Sequence, residues 1–66
     1  MKITLNGKPR EIHAAQTVAG LLQELQIDPA RVVIEHNAEI LPKHRYEEQQ
    51  LAENDVVEIV HFVGGG

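Results

Sequence analysis

The sequence contains no cysteine, no serine and no tryptophan, and Tyr46 and Phe62 are its only aromatic residues. Without cysteine there can be no disulfide framework and no thiolate zinc centre, two devices that often hold very small domains together. The same lack removes the usual side-chain nucleophiles and forbids a persulfide on this chain. Long apolar runs are missing as well. None approaches the roughly 20 residues of a membrane-spanning helix, and MKITLNG reaches a turn before the apolar stretch of a secretion signal could develop. The expectation is a soluble, cytoplasmic protein.

Positive charge is scarce. Six Lys and Arg stand against ten Asp and Glu, a net charge of −4. Nucleic-acid binding asks for a basic stripe and stacking rings, and neither is present. An acidic surface suits a partner with a basic or apolar docking face. The four histidines, His13, His36, His44 and His61, fall in four separate segments without the short spacings that zinc prefers. No metal site is expected. There is no phosphate-binding G-x-x-x-x-G-K-[ST] loop, and 66 residues around one core leave little room for a pocket of about 300 Å³. The chain is not expected to be an enzyme by itself.

What is present reads as alternating strands around one helix. Ile3 and Leu5 alternate with Lys2 and Thr4, the period of a half-buried strand. Asn6-Gly7 is a strong hairpin turn, because both residues tolerate positive φ. The return strand, Lys8 to His13, carries Pro9, which cannot donate to a ladder and argues for a sheet edge. Ile12 is its clearest inward residue. In QTVAGLLQELQID, Thr17 can cap a helix whose Val18, Leu21, Leu22 and Leu25 form one stripe. Gly20 inside it implies either a close contact or a loose first turn. Asp28-Pro29 is expected to end the helix, since a residue before proline is pushed out of the α region.

RVVIEHNAEIL reads as strand, turn and short strand, with Asn37-Ala38 at the bend and Pro42 closing it. Lys43 to Asn54 is polar and irregular, anchored by Tyr46 and Leu51. Asn54-Asp55 turns the chain into VVEIVHFV, the most apolar strand, expected centrally beside the first. The fold class is α+β, a mixed sheet of four to five strands with one helix packed across one face. That element order is the order of the ubiquitin-like β-grasp fold. Residues 1–63 would make the domain and 64–66 a tail.

A glutamate in a central strand faces water, so Glu58 sets the register. Val56, Val60 and Phe62 share its face, while Val57 and Ile59 face the helix. By the same phasing Glu35 and Val33 face out, and Val32 and Ile34 face in. If the two strands are neighbours, Val33, Val60 and Phe62 form an apolar patch on the open face, against the alternative of scattered surface valines. Gly64, Gly65 and Gly66 follow. Ordering glycine costs more backbone entropy than ordering any other residue, which predicts a flexible tail. A carboxylate on glycine has no Cβ to obstruct it and can be threaded into a narrow site elsewhere. It is inert until a partner activates it, most simply by adenylation.

MKITLNG, QTVAGLLQEL, RVVIEHNAEILP and ENDVVEIVHFVGGG, in this order and at this length, resemble the ThiS-type sulfur carriers of thiamin biosynthesis. The resemblance implies that a ubiquitin-activating-like adenylyltransferase, using ATP and Mg²⁺, adenylates the carboxylate of Gly66. A sulfur donor such as a cysteine desulfurase would then yield a thiocarboxylate, which thiazole synthase consumes. Gly65 and Gly66 match the family's Gly-Gly, and Val60, Phe62 and Val63 match its tail-proximal apolar residues. Asn37-Ala38 stands where the family commonly has Asn-Gly, which implies strain or another turn type, and His36 and His61 replace apolar or other residues. A carrier for molybdopterin or another sulfur pathway, a ubiquitin-like modifier, and a plain interaction module are the other readings.

Overall fold

The computed structural model describes residues 1–13 and 16–62. Five strands and one helix follow in the order β1 (Lys2–Leu5), β2 (Lys8–Glu11), α1 (Val18–Glu24), β3 (Val32–His36), β4 (Glu39–Leu41) and β5 (Val56–His61). The sheet order is β2-β1-β5-β3-β4. β5 lies parallel to β1 and antiparallel to β3, so the last strand is central and the sheet is mixed. β2, with Pro9, is an edge, as a residue without an N–H requires.

Side-chain alternation assigns the two faces. Ile3, Val32, Ile34, Leu41, Val57 and Ile59 point to one side and are buried there. Val18, Leu21 and Leu22 of α1 meet them, and Ile12, Tyr46 and Leu51 close the margins. Leu25, the fourth residue of the expected stripe, is half-buried at the helix C-cap.

Both hairpin turns are two residues long with positive φ throughout: Asn6 at 49° and Gly7 at 81°, then Asn37 at 51° and Ala38 at 71°. Only the second charges an alanine with left-handed backbone, which costs about 1–2 kcal/mol through Cβ contacts. Ala38→Gly is therefore expected to stabilise the fold by about 0.5–1 kcal/mol once the extra freedom of the unfolded glycine is deducted. A higher urea midpoint at unchanged slope would show it.

The helix ends four residues before Asp28-Pro29. Gln26 takes φ 60°, Ile27 N–H donates to Leu22 O at 2.9 Å and Gln26 N–H to Gln23 O at 3.0 Å. This pair of backward bonds satisfies the last carbonyls and reverses the chain, with glutamine where glycine is usual. The Asp28 carboxylate instead accepts from Ala30 N–H and caps a 3₁₀ turn, Pro29–Arg31.

Two strands are shorter than their patterns suggested because their partners run out. β2 stops at Glu11, beyond which Ile12 N–H finds only Met1 O, at 2.8 Å. β5 stops at His61, opposite Val32, although Phe62 N–H still reaches Arg31 O at 2.9 Å.

The segment expected to be irregular has a structural task. Val18 N–H donates to Gln49 O and Ala19 N–H to Tyr46 O, while Gly20 N–H is taken by the Thr17 hydroxyl at 3.0 Å. Helix N-termini leave such donors open, and here the loop supplies the acceptors. A 3₁₀ turn, Lys43–Arg45, begins this loop. Gly20 sits in a close contact: a Cβ there would stand 3.3 Å from Gln16 Cγ and 3.4 Å from the cap hydroxyl, so the Gln16 side chain would have to move slightly to admit it.

Candidate functional site

The face of the sheet turned away from α1 carries Val33 and Val60, two of the candidate docking residues. Val33 and Val60 are directly opposed on β3 and β5, and Glu35 opposes Glu58 in the next outward-facing pair. Val60 is 53% exposed and Phe62 55%, whereas Val33 is half-buried between its neighbouring strands. Val56, on the same face of β5, is 42% exposed. The strands are neighbours as the patch required, and from Val56 to Val60 the alternation set by Glu58 is the one observed. Val63, Gly64, Gly65 and Gly66, with the boundary drawn between domain and tail, lie outside the described residues.

Two candidates were missed in the sequence. Ile40, 70% exposed, faces out on β4 opposite Glu35 and extends the apolar surface toward that edge. Its signal was the alternation in EIL, too short to phase until Leu41 is seen paired with Ile34. Lys43 is the other. Its ammonium donates to Val32 O at 2.9 Å and Pro29 O at 3.1 Å, and lies 5.5 Å from the centre of the Phe62 ring. A lysine in a polar stretch carries no sign of such a role.

Glu35 and Glu58 form no ion pair or side-chain hydrogen bond among the described residues. Directly opposed like charges cost a sheet a few tenths of a kcal/mol, up to about 1. The open face thus combines exposed apolar side chains with uncompensated negative charge, a surface suited to apolar and cationic groups on another protein.

The opposite end of β5 is tightly bonded. Asp55 accepts from His36 Nε2 at 2.8 Å, from Ala52 N–H at 2.9 Å and from Asn37 Nδ2 at 3.1 Å, and Asn37 Oδ1 accepts from Val56 N–H at 2.8 Å. Burial opposes ionisation of Asp55, but these hydrogen bonds and the neighbouring histidine outweigh it and hold its pKa below the usual carboxylate value. His36 is thereby placed in a structural pair joining two turns. His61 is exposed at the end of β5.

Among the described residues no three His, Cys, Asp or Glu side chains come together as metal ligands. No helix there is long and apolar enough to cross a membrane. A shallow groove of about 260 Å³, lined by Ala19, Pro29, Lys43, His44, Tyr46 and Glu47, lies beside α1. It holds no pairing of acid, base and nucleophile.

The sequence matches the ThiS family over residues 3–66. It is 50% identical over 50 residues to the sulfur carrier protein ThiS of Bacillus subtilis, covering 76% of each chain. It is 44% identical over its whole length to a thiazole synthase of Paramagnetospirillum magneticum, of which it spans 20%. The chain thus covers about a fifth of the thiazole synthases it matches, 20% in that of Magnetococcus marinus as well. The crystal structure of the thiamine biosynthesis protein ThiS from Geobacter metallireducens superposes with a TM-score of 0.87 at 32% identity, over 100% of both chains. That likeness extends to the mixed five-stranded sheet, the single helix and the β-grasp topology. On the match to residues 3–66 and the agreement in fold, the chain belongs to the ThiS family.

Proposed function

We propose that this chain is a sulfur carrier of thiamin biosynthesis, a protein co-substrate that works through the carboxylate of Gly66. The observation that carries the reading is the family match through the glycines, joined to a central strand that presents exposed apolar residues just before them. The carboxylate attacks the α-phosphate of ATP on a ubiquitin-activating-like adenylyltransferase that supplies Mg²⁺, and pyrophosphate leaves. A cysteine desulfurase carries the sulfur as a persulfide; a thiol reductant, itself oxidised to a disulfide, releases it as hydrosulfide, which adds to the acyl carbon and expels AMP. A thiocarboxylate remains on Gly66. Glycine at this position and at Gly64 and Gly65 leaves the approach unobstructed, since no Cβ crowds the carbonyl or the narrow channel leading to it.

Val33, Val60, Phe62 and Val63 are the proposed contacts with both the activating enzyme and thiazole synthase, which would receive the sulfur. Thiazole synthases that contain, in one polypeptide, a stretch similar to all 66 residues support that second partner. Cytoplasmic ATP suits such a carrier.

The test is an intact-mass measurement after incubation with ATP, Mg²⁺, an adenylyltransferase from the same genome and a sulfur source. The expected product is heavier by the exchange of one oxygen for sulfur, it disappears on deletion of Gly66, and it supports turnover by thiazole synthase. Lysine-linked adducts would point to a modifier. A thiocarboxylate that thiazole synthase ignores would point to another sulfur pathway. An unchanged mass would defeat the carrier reading.

A further inference from the structure

We infer that Lys43 is a positioning residue for the tail: its ammonium holds Phe62 at the place where the chain leaves the sheet. The inference rests on the carrier reading and adds to it the residue that fixes the point of departure. β4 ends at Leu41, opposite Ile34, and Pro42 has no N–H with which to continue the ladder. The outer edge of β3 is therefore open at Val32. Lys43 fills the gap with its side chain, donating to Val32 O at 2.9 Å and to Pro29 O at 3.1 Å. Two of the three ammonium donors are used on main-chain carbonyls.

The same nitrogen lies 5.5 Å from the centre of the Phe62 ring and 6.0 Å from that of Tyr46. Both fall within about 6 Å, the range in which a cation is attracted to a ring. Tyr46 is buried in the core and gives the ammonium a fixed setting. Phe62 is different. It is 55% exposed and lies one residue beyond β5, and among the described residues its one hydrogen bond besides is that from its N–H to Arg31 O. Strand ends held by so little fray. Lys43 thus links β3, the Pro29–Arg31 turn and Phe62 through one charge. A tail that starts from a fixed residue loses less freedom on entering an active site, so anchoring Phe62 strengthens productive docking without touching the reacting carbonyl.

The test compares Lys43→Met, which keeps the length of the stem and loses the charge, with Lys43→Arg, which keeps a cation able to bond carbonyls and lie against rings. For adenylation of the carrier, Lys43→Met is expected to raise KM about five- to tenfold at unchanged kcat. Exchange of the Phe62 amide should quicken about tenfold, with core amides unaffected. Lys43→Arg should stay within about twofold of the parent in both readouts. The inference is overturned if Lys43→Met leaves KM and Phe62 exchange at parental values. It is equally overturned if Lys43→Arg fails to rescue, or if core amides quicken in step with Phe62, because the lysine is then only part of the fold. Failure of the unaltered protein to be adenylated counts against the carrier reading instead. Phe62 exchange still decides then whether Lys43 anchors the strand end, and unaltered exchange rejects it.

Discussion

Leu21→Ala is expected to remove about half of the protein's folding stability and to lower its urea midpoint accordingly. Leu21 has no exposed surface and sits in the middle of α1, between Val18 and Leu22 and against the inner face of the sheet. Truncating a buried leucine to alanine costs about 2.7–5 kcal/mol, through lost burial and the cavity left behind. A chain of this size has about 3–10 kcal/mol in all, at roughly 0.05–0.15 kcal/mol per residue. The helix cannot retreat to an independent existence either. It is 7 residues long, whereas isolated helices below about 12–15 residues are marginal even with favourable sequences. Urea unfolding followed by far-ultraviolet circular dichroism measures the effect, with Gln23→Ala on the exposed side of α1 as comparison. The comparison variant should stay within about 0.5 kcal/mol of the parent. Equal midpoints for Leu21→Ala and the parent would contradict the assigned core.

Val60→Asp should have the reverse profile, an intact fold with lost docking. Val60 is more than half exposed, so an aspartate there remains hydrated and little stability is at stake. It opposes Val33 and is two residues from Glu58 on the same face. The substitution removes the centre of the apolar patch and adds a third negative charge beside Glu35 and Glu58. Central contacts of an interface commonly cost 2 kcal/mol or more when removed, which is about thirtyfold in affinity. Titration against the adenylyltransferase and against thiazole synthase measures this, with Lys8→Ala on the far edge strand as the neutral comparison. Parental affinity of Val60→Asp for both partners would mean that Val33 and Val60 are merely surface valines.

Both expectations grow from patterns that are local in the chain. Alternation needs only neighbouring residues, so Ile3 with Leu5, and Val57 with Ile59, declared their faces before any tertiary contact was known. Glu58 set the phase of the last strand because a carboxylate resists burial. Thr17 announced the start of the helix, and Asn6-Gly7 announced a hairpin, because capping and left-handed turns depend on the residue types at two or three successive positions. Family membership was legible for a related reason: the order of these short signals, ending in glycines, is itself a linear pattern.

The end of the helix was not legible. Proline at position 29 was a real stop signal, yet the chain reversed earlier, at Gln26, whose positive φ is tolerated because Ile27 can then pack against the core. Packing outweighed local preference there. The polar stretch after Pro42 concealed its work for the same reason. Its carbonyls cap α1 through Gln49 and Tyr46, and no residue type advertises a backbone acceptor.

By itself the sequence determined which residues alternate, which face of each strand is apolar, where the turns fall and which family the chain belongs to. Those properties reside in the spacing of side chains along one strand or one helix. Only the tertiary structure decided that Val33 lies opposite Val60, that Asp55 bonds His36 and Asn37, and that the Lys43 ammonium bonds Val32 O beside the Phe62 ring. Each of these contacts joins residues far apart in the chain, and such pairs meet only after the whole sheet has closed over its helix.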